Sequence, residues 1–303
     1  MKFRFITILH YLKLDTIKKR GVKIYPGARI SNGSQILSKT LETELMRTTL
    51  GDHSITEFIN SVYFYIDGTF NHIHSKKDMD EIGNEHALLY LRHAQAFARK
   101  LWEIKDNNVY VRDGFFIFYH NHFNEGFTYK ASLAEIFTCA TGEKKNSLFT
   151  GSEISSAINN FEPPKIEDFE GERSESKWSS SKHLSKAFGS NRMVRAHYFI
   201  ESARKSHVVS IKIVFYCHAL ECLFTVENSE VHPEIAERVS ILLSSSKESK
   251  MKLFQLIKSA YSHRSRLLHG QYLKETESTL IEISNELDNV LRQLILYNHE
   301  IFS

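Results

Sequence analysis

The sequence predicts two parts of different class, an α+β domain in the first half followed by an all-α helical bundle in the second. Three observations point there. Before residue 160, aromatic and β-branched runs alternate with helical spacing; after residue 183, helical spacing stands alone; between them lies a polar, proline-broken seam. The chain has 303 residues, more than one small domain, and can bury a core without crosslinks. The division expected is 1–165, a connection at 166–182, and 183–303.

In the first part, residues 22–33 (VKIYPGARISNG) read as strand and turn, punctuated by Pro26-Gly27 and Asn32-Gly33. Ser38 to Leu50 suggests a short helix ending at Gly51. Residues 61–70 (SVYFYIDGTF) suggest a hairpin with its turn at Asp67-Gly68, and residues 109–119 (VYVRDGFFIFY) a second one around Asp113-Gly114. Between these, Asn84 to Ile104 places Leu88, Leu91, Ala94, Ala98 and Leu101 at helical spacing. The seam from Phe161 to Lys182 holds Pro163-Pro164 and the serine-rich GERSESKWSSSKH, and reads as an exposed connection. Five helices are then expected in series: Leu184–Lys205, Val208–Val226, Pro233–Leu243, Glu248 to about His263, and Glu275–Phe302.

Composition excludes several classes. Hydrophobic residues make up 42% and charged residues 25%, which rules out a wholly disordered, collagen-like or membrane-bundle chain. A net charge of +3 is too small to declare nucleic-acid binding by itself. Cys139, Cys217 and Cys222 do not make a disulfide framework, and the last two are too far apart for a CxxC pair. They read as reduced thiols of a cytoplasmic protein. The opening MKFRFITILHYLKL lacks both a clean apolar stretch and a small-residue cleavage site, so no leader is expected. Lys212, His218 and Glu221 interrupt the richest apolar run, Val208–Phe224, so no membrane span is expected either.

The segment that carries chemistry is YSHRSRLLHGQY, residues 261–272. Leu253, Ile257 and Ala260 mark an apolar helix face, and the same phase reaches Arg264. A guanidinium on such a face must find an anionic partner, either a phosphate or a carboxylate such as Glu221. His269 lies five residues on, about 140° round an ideal helix, so the two share a face only if the helix breaks near Ser262–Ser265. Gly270 marks the expected helix end. Together the two side chains suit phosphodiester cleavage. Arginine holds the phosphate, histidine moves a proton near neutral pH, and RNA supplies its own 2′-OH nucleophile.

The run Arg264-Ser265-Arg266-Leu267-Leu268-His269-Gly270 resembles the R-x4-6-H motif of the HEPN superfamily, and in detail the Apea-like HEPN group. ALECLF (219–224) and ERVSILL (237–243) support the likeness, which covers residues 183–303. The resemblance implies a metal-independent endoribonuclease without cofactor, acting as a homodimer whose two motifs form one composite site. It also implies a toxin or antiphage-defence role. Arg264 would bind the phosphate and His269 would be the acid/base. Ser265 fits the polar position after the motif arginine, and Glu221 an acidic position on the central helix. The same fold also serves non-catalytic modules that bind nucleotide or protein.

Other candidates are thinner. Lys186, Arg192, Arg195, Arg204 and Lys205, interleaved with Tyr198 and Phe199, suggest part of an RNA-binding wall, to which Arg266 adds. His120-x-His122 could start a zinc site but lacks further ligands, and His72-x-His74 is weaker. His86 and His93 share a helix face. The first domain is expected to bind a trigger or inhibitor that gates the bundle, with no membrane association.

Overall fold

A computed structural model describes residues 1–71, 75–123, 126–159, 161–165, 191–224 and 231–297. The connection at 166–182, the start of the first bundle helix and the His72-x-His74 pair lie outside the described residues. Those described gather into two compact units. Met1–Ile104, Asn108–Ile136 and the described part of Lys145–Gly171 make the first; Lys105–Asn107, Phe137–Lys144 and the described part of Glu172–Ser303 make the second.

The first unit is built on a six-stranded antiparallel sheet ordered β3-β4-β5-β1-β6-β7. Its strands are β1 (Lys2–Leu9), β3 (Val22–Tyr25), β4 (Ala28–Ser31), β5 (Val62–Thr69), β6 (Asp113–Tyr119) and β7 (Phe127–Ser132). A short parallel pair joins β2 (Leu12–Leu14) to β8 (Ser147–Phe149). Helices α1 (Ser34–Leu41), α2 (Glu44–Ile59), α3 (Lys76–Ile104) and α4 (Gly151–Asn159) complete it. The opening segment, for which the sequence reading names no element, supplies the inner strand β1. Its side chains alternate: Phe3 and Phe5 pack with Phe64, Phe116 and α3 residues such as Leu91 and Phe97, while Ile6 and Ile8 pack with Tyr63, Phe115 and Phe58 of α2. Both faces are covered, which explains the unbroken apolar runs.

That double burial corrects two expectations. Neither Asp-Gly pair is a turn: β5 runs straight through Asp67-Gly68, and Asp113-Gly114 opens β6. A Cβ at Gly68 would lie 2.5 Å from the Phe3 ring, and one at Gly114 2.6 Å from the Phe5 ring. Each glycine is a slot for an aromatic ring of β1. Asp67 accepts both Nε–H and Nη2–H of Arg4, at 2.7 and 2.8 Å. The helix expected to stop at Gly51 instead becomes two. Thr43 caps α2, which carries on past a break at Gly51 with φ 74 and ψ 158. The helix expected from Asn84 begins earlier, at Lys76.

The second unit holds α5 (Arg192–Lys205), α6 (Val209–Phe224), α7 (Val231–Leu243), α8 (Lys247–Leu268) and α9 (Glu277–Tyr297). The five expected helices are present in order, but α8 continues past His263 to Leu268, through Arg264. Helix α6 is the most enclosed, burying Ile213, Tyr216, Cys217, Leu220 and Leu223, and also Lys212. Two stretches from before the seam are pinned into this unit by buried polar bonds. Arg204 donates to the Asn107 carbonyl at 3.2 Å, Ser284 to the Ala140 carbonyl at 2.6 Å, and the Ala140 N–H to Asp106 at 3.0 Å. Asp288 accepts Tyr216 at 2.9 Å and pairs with Arg292. Lys212 donates to the Ala203 carbonyl at 2.9 Å, and burial pushes its pKa down to about 8. Among the described residues, no helix is long and apolar enough to cross a membrane.

Two stability changes are expected, each read by denaturant unfolding. Gly114→Val drives a side chain into the Phe5 ring and costs about 1–3 kcal/mol. Asp288→Ala removes the carboxylate shared by Arg292 and the Tyr216 hydroxyl inside the second unit and costs about 3–5 kcal/mol.

Candidate functional site

The site is built at the C-terminal end of α8. Ser246 caps the start of this helix in a reciprocal pair with Ser249. No break occurs at Ser262–Ser265; the helix stays regular to Leu268 and stops at His269. Gly270 takes φ 63, its N–H bonds the Leu267 carbonyl at 3.2 Å, and the Gln271 N–H bonds the Arg266 carbonyl at 2.9 Å. These two bonds are the Schellman ending that glycine permits. Because the helix does not break, Arg264 and His269 leave it in different directions.

Arg264 points to α6. It donates Nη1–H to Oε1 of Glu221 at 2.7 Å, with 17% of its side chain open to solvent. Of the two partners that the sequence allows, the structure therefore supplies the carboxylate. The other oxygen of Glu221 lies 3.0 Å from Nδ1 of His218. A carboxylate only accepts, so Nδ1 carries the proton. The Arg264 guanidinium also lies 5.8 Å from the centre of the Tyr261 ring, and the Tyr261 hydroxyl donates to the Cys217 carbonyl at 3.2 Å. Burial raises the pKa of both the Tyr261 hydroxyl and the Cys217 thiol. The constellation is thus His218, Glu221 and Arg264, partly open to water.

Ser265 and His269 are exposed and take no part in that constellation. Arg266 pairs instead with Glu275, whose other oxygen faces Nδ1 of fully buried His263 at 3.6 Å. Desolvation pushes the Glu275 carboxyl upward, but its own backbone N–H, the Arg266 charge and His263 outweigh this and hold it below the ordinary carboxylate value. The cluster ties residue 275, just before α9, to the last turns of α8, and so closes the loop that starts at His269.

The expected RNA-binding wall on α5 is largely occupied from within. Arg192 donates to the Leu223 carbonyl at 3.2 Å, and Arg195 bonds the Cys222 thiol. Arg204 is 2% exposed, lies 4.2 Å from the centre of the Phe137 ring and serves the core, so it is no surface cation. Lys186 lies outside the described residues. Tyr198 remains exposed.

Sequence reasoning missed His218, His263 and Glu275. His218 stands three residues before Glu221 on a helix already expected, a spacing that brings the two together. His263 follows Ala260 by three and so continues the apolar face as well as Arg264 does. Of the remaining histidines, His120 and His122 are exposed. His86 packs edge-on against Phe70. His93 donates Nε2–H to the Pro164 carbonyl at 2.9 Å and accepts the Tyr25 hydroxyl at 2.5 Å; burial pushes its pKa down to about 4. The two fasten the first unit together. Among the described residues no group of three or more His, Cys, Asp or Glu side chains is placed to hold a metal ion.

Comparison of the chain with protein-family models, with curated proteins and with solved structures finds no match.

Glu275 gives a pH-dependent expectation. Its carboxylate is more acidic in the folded chain than in the unfolded one, so its stabilisation is complete above the ordinary carboxylate pKa of about 4.3 and is lost as pH falls through the folded value. Glu275→Gln should therefore lower unfolding free energy at pH 7, and the gap to wild type should close towards pH 3. A gap that does not depend on pH would contradict the pairing.

Proposed function

We propose that the protein is a metal-independent HEPN-type endoribonuclease that works as a homodimer, a toxin or antiphage effector gated by its first unit. The observation that carries this reading is the partly open Arg264 guanidinium, held by one carboxylate within two turns of a solvent-facing His269. An RNA phosphate competes with Glu221 for the same N–H donors, and the bond between a guanidinium and a phosphate is strong and directional. Glu221 keeps the guanidinium in place until substrate arrives, and His218 steadies Glu221 as it yields.

The reaction follows from those groups. A base takes the proton of the ribose 2′-OH, and the oxygen attacks the adjacent phosphorus. The 2′-O–P bond forms as the P–O5′ bond breaks, and an acid protonates the leaving 5′-oxygen. Arg264 stabilises the additional charge on the phosphoryl oxygens. One His269 serves as base and the His269 of a second copy as acid, which is why one motif alone is incomplete. The first unit binds the trigger or inhibitor that licenses this pairing. Three free cysteines, two of them buried, suit a reducing cytoplasm, where RNA is at hand.

A second reading has an observation of its own. Arg264, Arg192, Arg195 and Arg266 all have partners inside the protein, as in a non-catalytic module that binds nucleotide or protein and drives assembly.

Cleavage assays with the full chain in excess EDTA separate the two. The nuclease reading expects His269→Ala to slow cleavage by about a hundredfold or more, the usual worth of a general acid/base. Arg264→Lys should keep a small fraction of the rate and Arg264→Ala none. Equal rates for wild type and all three variants would place any chemistry elsewhere; no cleavage by wild type under its trigger would favour the assembly module.

A further inference from the structure

The first unit carries a polar cavity of about 120 Å³ that the ribonuclease reading does not use. Helix α2 lines it with Thr49, Leu50 and Ser54, and Arg112, Asp113 and Lys130 face it from β6, β7 and the residue preceding β6. His10 and Glu57 complete the lining. The cavity opens to solvent, and Arg112, Lys130 and Glu57 are 49%, 53% and 37% exposed.

Asp113 is engaged through both oxygens, Glu57 through one. Oδ1 of Asp113 accepts the Ser132 hydroxyl at 2.5 Å and faces the Lys130 ammonium at 3.2 Å, while Oδ2 accepts Nε–H of Arg112 at 2.6 Å. Glu57 faces Nδ1 of His10 at 3.3 Å. The donors are less fully engaged. An arginine has five N–H donors and a lysine three. Among the described residues the side chains of Arg112 and Lys130 make no hydrogen bond beyond those to Asp113, and the Ser54 hydroxyl makes none; both cations are half exposed, and the Lys130 ammonium also lies 5.7 Å from the centre of the Phe115 ring. Asp113 holds the two cations side by side, and their remaining N–H groups face the cavity and solvent, where an oxyanion can displace water.

The backbone around the cavity is also unusual. Gly51, beside Leu50, sits at φ 74 and ψ 158, a region open essentially to glycine. Tyr11, beside His10, holds φ 63, which is costly for a side chain of its size.

We propose that this cavity binds a phosphoryl group, with Arg112, Lys130 and Ser54 as its donors. Its volume takes a tetrahedral oxyanion and little more, so the rest of any larger ligand lies in solvent. The shared chemistry of free orthophosphate and a nucleoside monophosphate is the phosphate itself. The site is independent of whether the second unit cuts RNA.

Isothermal titration of the full chain with orthophosphate, at constant ionic strength, tests it. One saturable site per chain is expected, weakened at least tenfold in Arg112→Gln/Lys130→Gln. Ser54→Phe keeps every charge but fills the cavity, and should weaken binding to the same degree; it keeps the test valid should the double variant fail to fold. A parallel titration with adenosine 5′-monophosphate identifies the source. Tighter binding than orthophosphate, lost in the same variants, assigns a nucleotide; equal or weaker binding assigns free phosphate. Absence of saturable binding by wild type overturns the proposal. So does wild-type affinity in Ser54→Phe, which would reduce the effect to diffuse surface charge.

Discussion

The bond between Arg264 and Glu221 is the constraint on which the second unit turns. A permanent charge with so little exposure must be paired, and here its partner sits on the neighbouring helix. The pair therefore joins α6 to α8 and sets the site at once. Tyr261 reinforces it one turn earlier by fixing the Cys217 carbonyl, and His218 takes the second oxygen of Glu221. On the proposed reading, an entering phosphate must outcompete a carboxylate already in place.

The end of α8 decides the rest of the geometry. Gly270 stops the helix, and the Arg266–Glu275–His263 cluster fastens the loop beyond it. His269 is thereby held outward at the helix terminus rather than folded back on Arg264. A single copy presents the Arg264 guanidinium towards α6 and the His269 imidazole towards solvent. On the proposed reading, two copies facing each other reconcile these directions, because each imidazole then reaches a phosphate common to both.

Much of the helical unit was legible in the sequence, because a 3.6-residue period survives in exposed and half-buried helices alike. Arg264 and Glu221 were legible as partners for the same reason: both lie on helix faces that phase alone could place. The sheet was harder. Strands buried on both faces lose their alternation, so β5 and β6 looked like hairpins punctuated by Asp-Gly. The glycines answer to Phe3 and Phe5 on another strand, a contact that local sequence does not encode. The same holds for 105–107 and 137–144, which join the helical unit through Arg204 and Ser284, far away in the chain. Glu275 escaped notice because it lies in a loop, where no period marks it.

The chemistry of the cut end tests the central claim most directly. RNA cut by the full chain in excess EDTA should carry a 2′,3′-cyclic phosphate on one fragment and a 5′-hydroxyl on the other. RNA with a 2′-deoxy sugar at the cut position should remain whole. Fragments ending in 3′-hydroxyl and 5′-phosphate, or cleavage of the 2′-deoxy strand, would contradict an Arg264–His269 centre that uses the ribose hydroxyl as nucleophile.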